Sequence, residues 1–276
     1  MFTKYAKLSG FLSLASISVL LLGLSACGGS GDSNQDILIQ GDGSIQGIDY
    51  TFLEVVKSSK TNYQNITLSN LNYTQFTNIF FVSCAKNLTN NANLLIKNSR
   101  GEYLSAIDSE TYQPFKNLNI INNKNITVKD SFAKESLNVI DTDGGTNITN
   151  NGNLTIIHPT LTKNKEAEIV NLTFDSHLIN KGNLYVKDAN NTAGVKLEVS
   201  YSNNSSMLDN QGVISISSDS YNSCGIKIDS SSLNTAQKHI KSIGTIALEA
   251  GKSYSDLSKA WNASADKHNN KPICHK

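Results

Sequence analysis

Arginine is almost missing: Arg100 is the only one in 276 residues. Bidentate clamping of phosphates or carboxylates is therefore not a theme of this chain. A basic field is missing as well. With 24 Lys and Arg against 23 Asp and Glu the formal charge is +1, which argues against nucleic acid as a partner. There is no Gly-x-Ser-x-Gly elbow, no phosphate loop and no His-Glu-x-x-His helix. The five histidines (His158, His177, His239, His268, His275) show no metal-ligand spacing. Even His268, Cys274 and His275 read as a structural tail rather than a zinc site. After the first 26 residues no further apolar run of about 20 residues occurs, so no second bilayer span is expected.

What is present begins at the N-terminus. Lys4 and Lys7 precede an apolar run from Leu8 to Leu24, which ends at Leu24-Ser25-Ala26-Cys27. A positive start, an apolar stretch and small residues before a cleavage point make a secretory signal. Leu-Ser-Ala-Cys resembles the lipobox of bacterial lipoproteins. The resemblance implies cleavage before Cys27, lipidation of that cysteine and anchoring in a membrane. Gly28 rather than Asp follows the cysteine, which by the family's sorting rule implies the outer membrane. Removing residues 1–26 removes two lysines and no acids, leaving 22 − 23 = −1. Residues 27–36 then read as a flexible Gly- and Ser-rich tether. Of the remaining cysteines, Cys84 and Cys224 lie about five repeats apart, too far for a disulfide at strand spacing. Cys224–Cys274 is the pairing the spacing favours.

The body repeats. Ile66, Leu94, Ile126, Leu154, Leu184, Ile214 and Ile246 each open a short stretch in which apolar residues alternate with small or polar ones, and the steps are 28, 32, 28, 30, 30 and 32. A fixed period of this size marks a stacked repeat, and the alternation is that of a strand. Two more strand candidates follow in each repeat, separated by turns rich in Asn, Asp, Gly and Ser. The expected fold is all-β: a right-handed parallel β-helix of about seven three-stranded coils over residues 62–252. Residues 37–61 are expected to form an N-terminal cap. Residues 253–276 are expected to form a helical cap and tail, starting at Ser253-Tyr254-Ser255-Asp256, with Leu257, Trp261 and Ala265 on one face.

Two columns accompany the core. Asn62, Asn90, Asn122, Asn150, Asn180 and Asn210 recur in the turn before the first strand, placed to bond side chain to backbone from coil to coil. Gly152, Gly182, Gly212 and Gly244 are expected to supply positive φ in the same turn. Asn-x-Gly-Asn-Leu-x-Val resembles the coil motif of β-helix adhesins and autotransporter passengers, which implies the fold and, more weakly, a binding role.

The second column is acidic: Asp108, Asp141, Glu168, Glu198 and Asp229, each beside an apolar residue and so expected to face outward at one phase. Stacked like charges repel. Either Lys165, Lys196 and Lys227 screen a solvated face, or the column serves a cation, a glycan or a surface protein. Polysaccharide-cleaving β-helix enzymes hold acids on such a face, so a lyase or hydrolase is one alternative to adhesion, and a passive structural envelope lipoprotein is another. Lys97, Lys129 and Lys187 form a broken column read as solvation. Asp141-Thr142-Asp143-Gly144-Gly145 reads as an ordinary turn, lacking the ligands of a full calcium loop. No cofactor is expected beyond the lipid, although a bound cation stays open. The expected role is a lipid-anchored envelope protein, displayed at the cell surface, that binds rather than catalyses.

Overall fold

A computed structural model describes residues 36–56, 59–83, 87–110, 118–199, 206–248 and 251–275. The signal segment, nearly all of the tether, Cys27 and Cys84 lie outside them. The described chain is a parallel β-solenoid of about six turns with three parallel sheets. Sheet 1 stacks the anchor motif in register, Ile66 on Leu94, Ile126, Leu154, Leu184, Ile214 and Ile246. These side chains are buried at 0–1% exposure and form one inward column of the core. Sheet 2 follows in each coil, through strands such as Arg100–Glu110, Phe132–Asp143 and Ala167–Leu172. Sheet 3 closes the coil with short strands such as Leu118–Asn122 and Thr146–Asn150. Each strand finds its partners about 30 residues away, so a single coil has no stability of its own.

Both ends are more regular than expected. Residues 37–61 do not merely cover the first coil. Ile37–Gln40 pairs in parallel with Ile66–Ser69, Tyr50–Val56 with the strand Phe76–Ser83, and Lys60–Asn62 with Asn87–Asn90. At the other end the helix α2 is short, Leu257–Trp261, and Asp256 rather than Ser253 caps it by accepting from Lys259 N at 2.8 Å. Lys252–Tyr254 folds back antiparallel on the last sheet-1 strand and blocks further stacking there. Ala265 lies past the helix. The tail re-enters the solenoid as Lys271–His275, pairing in parallel with Cys224–Ile228. An earlier helix, α1 (Leu233–His239), sits in the last coil and leads directly into the short strand Ile240–Ser242.

The Asn column is confirmed in place but bonds differently. Each Nδ2 donates to the Oδ1 of the next: Asn62 to Asn90, Asn90 to Asn122 and Asn122 to Asn150 at 2.8 Å, Asn150 to Asn180 at 2.7 Å and Asn180 to Asn210 at 2.6 Å. The same nitrogens also donate within the coil, as from Asn150 to Gly152 O at 2.8 Å. The ladder is thus side chain to side chain between coils and side chain to backbone within them, because both amide hydrogens need a buried acceptor.

The glycine expectation is overturned at three of four positions. Of that set only Gly244 has positive φ, +53°. The others are glycine because backbone passes over backbone: a Cβ on Gly182 would lie 1.8 Å from Gly152 O, and one on Gly212 1.8 Å from Gly182 O. Positive φ falls instead at Asn70, Asn98, Asp130, His158 and Asp188, the turn after sheet 1.

Candidate functional site

Sheet 2 carries the site because its strands break the two-residue alternation. In every neighbouring pair one position goes unpaired: Ile79, Ala106, Val139, Ile169, Gly194 and Gly225 drop out of the registers. The residue that follows each of the first four (Phe80, Ile107, Ile140, Val170) is buried in the core as well. Two successive inward residues turn the strand through a corner. A Cβ on Gly194 would meet Ile214 Cγ2 of sheet 1 at 2.6 Å, so the column faces inward closely.

Two outward columns flank this corner. The first runs Asn78, Ser105, Asn138, Glu168, Ala193 and Cys224. The second runs Phe81, Asp108, Asp141, Asn171, Lys196, Lys227 and Cys274. They touch along a diagonal, from one strand to the next. Asn78 Nδ2 reaches Asp108 Oδ2 at 3.5 Å, Glu168 lies 3.8 Å from Lys196 Nζ, and Cys224 and Cys274 form a disulfide with Cα atoms 5.8 Å apart. The outer face of sheet 2 is therefore a closed polar seam.

The single acidic column does not exist in this form. Asp108 and Asp141 stack in register. Glu168 belongs to the first column, opposite Asn138. Glu198 and Asp229 lie two positions beyond Lys196 and Lys227, past the paired residues Leu197 and Ile228. The reason is the corner: Ile107 and Ile140 precede their acids, whereas Ile169 follows Glu168. An apolar neighbour does not set the phase where alternation fails. Outward here is also not solvated, since Glu168 is 3% exposed.

Burial sets the electrostatics. Desolvation pushes the Glu168 carboxyl up to about 8, against the pull of Lys196. It pushes Asp141 up to about 6, although Asn171 and Asn138 donate to it. Asp108 rises well above its ordinary value through desolvation and the charge of Asp141. Asp143 rises too, by burial and by repulsion from Glu110 and Glu198. Burial opposes the charge of Lys196, but Glu168 and Glu198 outweigh it and hold the amine above its ordinary value. Glu198, at 3.2 Å, is the nearer acid and carries the ion pair. Glu168 lies farther off, at 3.8 Å, and deeper. Lys227 pairs with Glu166, and Lys165 with Glu135, whereas Lys196 meets two acids of the expected column, Glu168 and Glu198.

Other candidates fall elsewhere. Lys97, Lys129, Ile157 and Lys187 stack on sheet 1 as the broken column expected. His158, which sequence spacing left without partners, sits between Asp130 (3.0 Å) and Asp188 (3.2 Å) on adjoining turns. The signal was visible: all three occupy one phase of the repeat. Trp261 is buried and stacks on His275, ring centroids 4.0 Å apart. On the outside, Asn91, Asn123 and Asn151 form a second amide ladder, both links 2.7 Å. Among the described residues no three His, Cys, Asp or Glu side chains gather as a metal set, and no helix is long and apolar enough to cross a membrane. No family model matches the chain, and no curated protein or solved structure matches it.

Proposed function

We propose that this chain is a lipid-anchored protein of the bacterial outer membrane whose solenoid binds a repetitive partner, a glycan or a surface protein, at the cell surface. The Leu24-Ser25-Ala26-Cys27 pattern supports the anchor. The observation that carries the binding reading is the outer ladder Asn91–Asn123–Asn151. It presents identical amides at strand spacing, already fixed by their neighbours, so little side-chain entropy remains to be lost on contact. Weak contacts repeated along such a face add through avidity.

The test has two parts. Protease treatment of intact cells should release the solenoid, and full protection would count against surface display. Purified protein should bind cells or extracted envelope polysaccharide, and a triple Asn91→Ala, Asn123→Ala, Asn151→Ala variant should lose at least tenfold in apparent affinity. Unchanged binding would remove the amide ladder from the interface.

A second reading has its own observation. Glu168 near 8 and Asp141 near 6 pair a protonated with an ionisable acid, as acid–base catalysis requires. Against it stands the closure of the seam around Glu168. If a polysaccharide panel gives cleavage products that Glu168→Gln abolishes, catalysis displaces adhesion.

A further inference from the structure

The turn between sheet 3 and sheet 1 carries a groove. The residue after each buried ladder asparagine turns outward: Tyr63, Asn91, Asn123 and Asn151 follow Asn62, Asn90, Asn122 and Asn150, which stack in register. A second outward column runs Asp36, Asn65, Asn93 and Asn125, each just before a sheet-1 strand. Its members are tied from coil to coil. Asn65 Nδ2 donates to Asp36 Oδ1 at 2.8 Å, Asn93 N to Asn65 Oδ1 at 2.8 Å and Asn125 N to Asn93 Oδ1 at 3.3 Å. Ala92, small and buried, separates the two columns. There a groove of about 380 Å³ opens, lined by Tyr63 and Asn91 of the first column and Asp36, Asn65 and Asn93 of the second, with Lys124 beside them. That volume falls within the range of small-ligand sites.

Both columns end at this groove, and their last polar groups are unused. Asn151 Nδ2 donates to Asn123 Oδ1, and Asn123 Nδ2 to Asn91 Oδ1. The ladder therefore leaves a spare donor on Asn91, and Tyr63 stands where a further asparagine would have accepted it. Among the described residues nothing engages Asn91 Nδ2, Asp36 Oδ2, the Tyr63 hydroxyl or Lys124 Nζ. Tyr63 is 69% exposed. A single exposed aromatic needs no explanation by itself. This one borders a polar groove in which a donor, an acceptor and an amine all await partners.

We propose that this groove is a saccharide subsite: the ring of one sugar lies on Tyr63 while its hydroxyls bond Asn91 Nδ2, Asp36 Oδ2 and Lys124 Nζ. The face of a sugar ring is lined with C–H groups and is apolar. Its rim is a run of hydroxyls, each both donor and acceptor. A flat aromatic bordered by donors and an acceptor matches both parts, and a tyrosine supplies the contact area at low entropic cost. A protein partner is matched less well. Apart from Tyr63 and Ala92 nothing apolar lines the groove, so an anchoring side chain finds no pocket. Asn123 and Asn151 continue the line and can meet further units of a linear chain. The subsite rests on the binding reading above and narrows it to a glycan.

The experiment screens the full chain in detergent against a panel of neutral and acidic oligosaccharides. The strongest binder is then titrated by calorimetry into wild type, Tyr63→Ala and Tyr63→Phe. Tyr63 is exposed, so both variants should keep the wild-type Tm. The expected result is saturable uptake by the wild type, a loss of about tenfold or more in Tyr63→Ala, and a change under about threefold in Tyr63→Phe, which keeps the ring. No uptake from the whole panel, or equal affinity in Tyr63→Ala, would overturn the subsite. A parallel assay measures adhesion to cells before and after periodate, which cleaves the vicinal diols of glycans. Adhesion that survives periodate, with no saccharide bound in solution, would overturn the subsite and leave adhesion to a protein standing. Saccharide uptake sensitive to Tyr63→Ala, with no adhesion to cells, would support the subsite and remove surface adhesion.

Discussion

Glu168 and the Asn ladder show how a single side chain works in this protein. The folded-state value of Glu168 is raised from 4.5 to about 8. The stability it contributes is therefore fully present below about pH 4.5 and is lost as pH rises toward 8 and beyond. Wild type should become less stable from pH 5 to pH 9. Glu168→Gln should flatten that profile and exceed wild type at pH 9 by on the order of 2–4 kcal/mol, read from denaturant melts. A variant with the wild-type slope would show that Glu168 is not the group titrating. In the ladder, Asn150→Ala would leave Asn122 with an unused donor and Asn180 with an unused acceptor in a dry interior. A loss of about 2–4 kcal/mol is expected, again measured by denaturant unfolding. The positions of these asparagines were legible from their period alone. Their bonding was not, because the choice between a backbone and a side-chain acceptor depends on where the next coil lies.

At the scale of strands and turns, close approach explains what periodicity cannot. Gly182→Ala places a methyl group 1.8 Å from Gly152 O, so the coils must separate there. Thermal melting should show a loss of at least about 2 kcal/mol. Gly251→Ala meets no atom within 4 Å but sits at φ +76°, and should cost only the smaller backbone strain of about 1 kcal/mol. The disulfide belongs to this scale too. It fixes the last strand, Lys271–His275, to Cys224–Ile228 across 50 residues. Reduction, or Cys274→Ser, should cost about 3–4 kcal/mol and expose the C-terminal strand to proteolysis first, detected by mass spectrometry of the early fragments. The acidic residues were individually conspicuous in the sequence, yet their grouping was not. Where two neighbours such as Ile169 and Val170 both enter the core, the parity of every later residue shifts, and no local pattern reports the shift.

For the whole molecule, strands pair with those of the adjoining coils, so one coil can be removed. Deleting residues 154–183 joins Asn153 to Leu184, restores the Asn-Leu motif, and should leave a folded solenoid shorter by about 4.8 Å. Circular dichroism should retain the strand spectrum, and small-angle scattering should report the shortening; an unfolded product would mean that the coils are not interchangeable. The ends are the exception. The antiparallel return Lys252–Tyr254 and the buried Trp261 close one end, and they are not repeats.

The sequence by itself determined the period, the parallel stacking and the inward columns, because a thirty-residue unit with strand alternation has one way to bury its apolar face: against copies of itself. Only the tertiary structure decided which polar side chains meet. The corner in sheet 2, the diagonal from Glu168 to Lys196 and the stacking of Asp108 on Asp141 all depend on register between strands about thirty residues apart. That register is set by core packing across the solenoid and leaves no local trace in the chain.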